Sequence, residues 1–208
     1  MTSTIVVVLA DDPTLVLTGV ALLFIVLYTL GSVAGRKRVA DLYGELSKAV
    51  ASLGGKVVGG RSGATTAVLS CREMGSLVEF SIVIGIQSWA NPLTYLVSRM
   101  TGRKDLVVLR AKLAKKPTLS YTLINKKAPA VRYRSRWGRY VGELDDYLVV
   151  SPDKLSLEEV RPTYQAVKDL DNLLLLSLSS DLPNLHAYID PKDSHRIKDL
   201  LYVLIKLI

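Results

Sequence analysis

The stretch Thr14–Gly35, TLVLTGVALLFIVLYTLGSVAG, decides how this chain is read. It carries no charge over 22 residues, and at about 1.5 Å rise per residue a helix of that length is about 33 Å long. The hydrocarbon core of a bilayer is roughly 30 Å thick, so the stretch predicts one membrane crossing. Arg36, Lys37 and Arg38 follow at once, while Asp11 and Asp12 stand on the other flank. The positive-inside bias then places the C-terminal side in the cytoplasm. The alternatives, a buried helix of a soluble domain and a cleaved signal peptide, fit less well. A signal peptide carries its basic residues before a shorter apolar run, not after a long one.

Outward from this stretch, the expected organisation is a short external tail over 1–13, a transmembrane helix over 14–35, a juxtamembrane amphipathic helix over 36–55 and one cytosolic α+β domain over 56–208. The roughly 170 residues beyond the anchor suffice for one domain with a real core. Mean hydropathy is +0.27, yet the next longest apolar run, Leu200–Ile208, is too short to span. The single cysteine, Cys71, excludes an internal disulfide framework, and with two histidines the common zinc spacings are absent.

Charge is distributed unevenly. Residues 1–98 carry seven Lys/Arg against six Asp/Glu, residues 99–140 carry 13 against one, and residues 141–208 carry seven against 12. An electropositive block of this kind attracts phosphate, whether on RNA or on anionic lipid headgroups.

Along the chain, apolar residues at 39, 42, 46, 50 and 53 predict an amphipathic helix that Gly54-Gly55 ends. Gly59-Gly60-Arg-Ser-Gly63 reads as a turn-rich break without the phosphate-loop pattern. Ala64–Arg72 and Leu77–Gln87 read as strands, the second almost continuously apolar and so either buried on both faces or covered by a helix. Asn91-Pro92 opens a short helix that stops at Gly102. Leu106–Leu113 and Thr118–Asn125 read as a hairpin-like pair of strands, with Arg110 and Lys112 on one face of the first. Tyr147–Val150 and Leu185–Ile189 are candidate strands. Ser156-Leu-Glu-Glu159 looks like a helix start, and a longer helix is expected over Tyr164–Leu178. A last helix, capped by Asp193 or Ser194, runs to Ile208. The predicted class is α+β, with an antiparallel or mixed sheet covered by helices.

No residue pattern points to catalysis, to a metal or to a cofactor. His186 and His195 stand apart, Cys71 lies on a predicted strand as a small buried thiol, and the carboxylate pairs are spread over helices and loops. The basic segment is more informative. Lys126, Lys127, Arg132, Arg134, Arg136 and Arg139 are interleaved with Tyr133, Trp137 and Tyr140. Guanidinium groups bind phosphate bidentately, and aromatic rings stack on bases or sit at lipid interfaces. With Arg103 and Lys104 they form the candidate RNA- or anionic-lipid-binding set. The small residues Gly19, Ala21, Gly31, Ser32 and Ala34 are candidates for contact with a partner membrane helix. Ile197, Leu200, Leu201, Leu204, Ile205, Leu207 and Ile208 exceed one buried stripe. That last helix therefore reads either as core or as a partner-docking helix.

Cys71-Arg72, an apolar strand, NPLTYLVSRM over 91–100, Arg103-Lys-Asp105, and two strands ending in TLSYTLINKK over 118–127 resemble the cytosolic domain of the calumin family, the coiled-coil subunit of the PAT complex. The clearest similarity covers about Cys71–Lys127. The resemblance implies one membrane helix with an external N-terminus and a cytosolic α/β domain. It further implies a non-catalytic role beside the ribosome and the protein-conducting channel, in the folding or insertion of multipass membrane proteins. It carries over no catalytic residues. The family's acidic lumenal segment has no counterpart here, so calcium binding is not expected, and neither has its Lys/Glu-rich coiled-coil tail. A short relative of this kind suits a prokaryotic, for example archaeal, plasma membrane; a eukaryotic one would sit in the endoplasmic reticulum. The expected partners are ribosomal RNA, channel or insertase subunits and membrane lipid. The alternative is a membrane-tethered protein whose basic surface binds anionic lipid without any ribosome.

Overall fold

One helix, α1 (Pro13–Ser52), runs unbroken for 40 residues, about 60 Å at the usual rise. The computed structural model describes residues 13–87, 92–100, 105–129, 131, 136–191 and 194–207. The halves of α1 differ in what surrounds them. From Leu15 to Val33 the large apolar side chains are exposed, Leu17 at 72%, apart from the half-buried Leu27. From there on a single stripe is buried: Gly31, Gly35, Val39, Leu42, Leu46 and Val50. Their spacing of four, four, three, four and four is one face of a helix. The expected juxtamembrane helix is thus the same rod as the apolar segment, and α1 is long and apolar enough to cross a membrane. Gly54, at φ +81°, turns the chain out, and the Gly55 N–H closes the end on the Val50 carbonyl at 3.0 Å.

The strands are β1 (Lys56–Ser62), β2 (Thr66–Met74), β3 (Leu77–Gly85), β4 (Leu106–Leu113), β5 (Tyr121–Asn125), β6 (Arg139–Leu144), β7 (Tyr147–Ser151), β8 (Leu173–Leu178) and β9 (Leu185–Ile189). They form one sheet in the order β1-β2-β3-β4-β9-β8-β5-β7-β6, and every pair is antiparallel. The other helices are α2 (Pro92–Met100), α3 (Leu157–Val167) and α4 (Ser194–Leu207). The lower half of α1, with α3 and α4, covers one face of the sheet. The main core lies between them, built from Val39, Leu46, Leu69, Ile82, Leu109, Leu123, Val160, Leu176, Leu200 and their neighbours. The fold class is α+β with a purely antiparallel sheet.

Four local expectations change. The glycine-rich 59–63 stretch is largely strand β1, and a bulge at Val57/Gly59 absorbs the irregularity. At Gly60 the Tyr43 side chain of α1 comes so close that a Cβ would fall 2.0 Å from its hydroxyl, and a larger residue there would have to displace the end of that ring. β4 and β5 are not hairpin partners: β9 and β8 lie between them. The helix expected over Tyr164–Leu178 begins earlier and ends at Val167, and Leu173–Leu178 is a strand. Its opening is as expected, the Ser156 N–H donating to Glu159 Oε2 at 2.8 Å. Finally, Ile197, Leu201 and Leu204 are buried and Ile205 packs against the core. Of the two readings for α4 the structure has the core helix, not the docking one, because α4 fills the space between α1, α3 and the sheet. Asn91, Arg103, Lys104, Arg132, Arg134, Asp193, Ile208 and the tail over 1–12 lie outside the described residues.

Candidate anion-binding face of the sheet

Alternation along the strands gives the sheet a second face, away from the helices. Its β5–β7 end is apolar: Ile124, Leu148, Val150 and Leu175 form a small second core. Two described residues of the chain between β5 and β6, Val131 and Trp137, reach it. Val131, Trp137 and Tyr188 pack on this core, and the Trp137 ring meets Tyr188 edge-on with centroids 6.2 Å apart. Trp137, an aromatic residue of the interleaved pattern, is therefore held against the sheet.

The β2–β9 end of the same face is more open and carries a polar row beside an apolar one, Val68, Val83, Val108 and Tyr188. Register aligns Ser70, Ser81, Arg110, His186, Ser177 and Thr122 in one row across six strands. Thr122 Oγ1 and Ser177 Oγ are 2.8 Å apart. Beside this row run Arg72, Glu79 and Lys112, with Arg72 Nη2 and Glu79 Oε1 at 3.4 Å. Arg110 and Lys112 are exposed, and among the described residues neither is in an ion pair. Burial, and then the neighbouring Arg110, hold the His186 imidazole below its ordinary pKa. The ring is neutral at pH 7, and the positive charge of the row is that of Arg110.

The residues singled out from sequence fall unevenly on this surface. Arg136 is exposed next to Trp137, whereas Arg139, exposed at the start of edge strand β6, pairs with Ser151 and so stands on the helix-covered side of the sheet. Lys126 and Lys127 are less available than their position implies. Lys126 Nζ lies 2.5 Å from Glu143 Oε2, and Lys127 Nζ lies 3.8 Å from Asp146 Oδ2. The Glu143 contact raises the Lys126 pKa, so that charge is permanent but locally matched. Glu143 and Asp146, from the acidic C-terminal third, thus neutralise these two lysines of the basic block. Arg72, Arg110 and Lys112 were outside the sequence-derived set. The alternation in LVVLRAKL put Arg110 and Lys112 on one face, but only strand order brings that face beside the basic segment. Cys71 points into the helix-covered core, where burial pushes its thiol up to about 11. Among the small residues of α1, Gly31 is buried within the chain itself and Ser32 half-buried, while Gly19, Ala21 and Ala34 are exposed.

The arrangement can bind an extended polyanion. Exposed guanidinium and ammonium groups lie along one face, flanked by hydroxyl donors and an aromatic pair, with no deep cleft needed. No protein-family model and no curated protein matches the chain.

Proposed function

We propose that this is a single-pass membrane protein with its N-terminus outside, its domain in the cytoplasm, and the open sheet face as a docking surface for ribosomal RNA. In this reading it is a non-catalytic factor that stands beside the protein-conducting channel or an insertase and assists the folding or insertion of multipass membrane proteins. The observation that carries the reading is the continuity of α1: an exposed apolar rod becomes, without a joint, a core helix of the domain bearing the cationic face. Exposure of the rod argues against an ordinary core helix, since such apolar surface needs lipid around it. Arg36, Lys37 and Arg38, immediately after the uncharged stretch, support the orientation. The exposed Gly19, Ala21 and Ala34 would let a partner helix approach closely in the bilayer.

The test is co-sedimentation of the full chain, in detergent or nanodiscs, with ribosomes over a salt series. Binding should fall steeply with salt, by something like 10³-fold or more between 50 and 200 mM if six or more phosphates are engaged. Replacing Arg110, Lys112 and Arg136 by Glu should abolish it. Binding indifferent to both would overturn the RNA assignment. The exposed Arg36 and Lys37 at the membrane level favour one second reading, in which the cations meet anionic lipid alone. Vesicle binding that rises with anionic lipid, with no ribosome association, would establish it.

A further inference from the structure

Helix α2 leaves the sheet between β3 and β4, and both ends of that excursion are fastened at one level of α1. The Gln87 N–H donates to Asp105 Oδ1 at 2.8 Å, and Asp105 Oδ2 meets Arg38 Nη2, also at 2.8 Å. Arg38 lies three residues past the end of the uncharged stretch, and α1 touches α2 directly. The buried stripe of α1 continues beyond this level to Gly35 and Gly31. Gly31 is about 10 Å nearer the apolar end than Arg38. Packed protein therefore reaches past the charged collar, to a depth where Leu30 and Val33 on the other sides of α1 are exposed.

The outer face of α2 is apolar. Leu96, Val97 and Met100 are 57%, 59% and 80% exposed, and positions i, i+1 and i+4 share one side of a helix, while Ser98 on the other side is buried. Three large apolar side chains on nine residues are thus exposed on a helix that touches α1 and is tied through Asp105 to Arg38, just past the uncharged stretch. The geometry points to α2 as an interfacial helix whose Leu96–Val97–Met100 face lies among the lipid chains of the leaflet from which α1 emerges. The protein then holds the membrane at two points, a crossing rod and a shallow float beside it, which fixes the rotation of the domain about the rod. This rests on α1 crossing the membrane.

The experiment separates the two. Spin labels are placed by Ile25→Cys, Leu96→Cys, Met100→Cys and Lys168→Cys, one at a time, in the full chain reconstituted into phosphatidylcholine vesicles. Native Cys71 is buried, and the unsubstituted chain is the labelling control. Collision with oxygen and with an aqueous nickel chelate is measured by EPR. Labels at 96 and 100 should be oxygen-rich and several-fold less nickel-accessible than the label at 168, and shallower than the label at 25. A lipid-facing label at 25 with nickel-accessible labels at 96 and 100 overturns the float and leaves the crossing intact. A nickel-accessible label at 25 overturns both. Spin–spin broadening at 96 or 100 would give the face to a second copy and overturn the lipid assignment. In Leu96→Glu/Met100→Glu, a Val97→Cys label should become nickel-accessible with the thermal transition unchanged, since these side chains carry no core packing.

Discussion

His186 shows how a single side chain reports on the face around it. Its proton is disfavoured by burial first and by Arg110 second, so Arg110→Ala should raise its pKa, as read by NMR titration with the chain's other histidine, His195, as comparison. A pKa that did not move would separate the two residues electrostatically and weaken the row as a unit. The sign for stability follows. Folded His186 binds its proton less readily than the unfolded residue, so its contribution is level above about pH 6.5 and stability declines as pH falls below that, until the folded ring itself protonates. Gly138 is a second sensitive position. At φ +134° its Cβ would fall 2.4 Å from the Ser151 backbone carbon, which cannot yield as a flexible side chain can. Gly138→Ala should cost on the order of 1–3 kcal/mol or more, seen as a lowered Tm, because the strain adds to the clash. It would also shift Trp137, and with it the basic segment.

At the scale of elements, legibility in the sequence depended on whether one physical cause acted alone. The lower half of α1 was legible because its stripe, its end at Gly54 and its burial all agree. Leu46→Ala, at a site only 2% exposed, should cost about 2–5 kcal/mol in chemical denaturation; a cost under 1 kcal/mol would contradict core packing for this half. The run LLLLSL over 173–178 was not legible. A continuous apolar stretch fits a buried helix or a buried strand alike, and Leu175 and Leu176 are buried on opposite faces of the sheet, in the second core and the main core. Strand β1 was hidden by its glycines, of which Gly60 lies against the Tyr43 hydroxyl. As for the candidate site, Arg136 and its neighbour Trp137 were visible in the interleaved pattern. The contribution of Arg72, Arg110 and Lys112 was not, since it depends on β9 and β8 inserting between β4 and β5. Nor was the pairing of Lys126 and Lys127 with Glu143 and Asp146, which comes from hairpin register.

At the scale of the whole molecule, the boundary of the foldable unit should not coincide with the boundary of the apolar rod. A chain beginning at Arg36 keeps Val39, Leu42, Leu46 and Val50 and should unfold cooperatively in water. A chain beginning at Lys56 loses that wall of the core and should not; circular dichroism against denaturant distinguishes them, and a cooperative Lys56 chain would show the wall to be dispensable. The unbroken α1 has a mechanical consequence as well. With no swivel between rod and domain, the cationic face cannot sweep a hemisphere around its tether. It moves as the end of a rigid lever, and if the rod crosses a bilayer as proposed, a neighbour that tilts it there re-aims the face by the same angle.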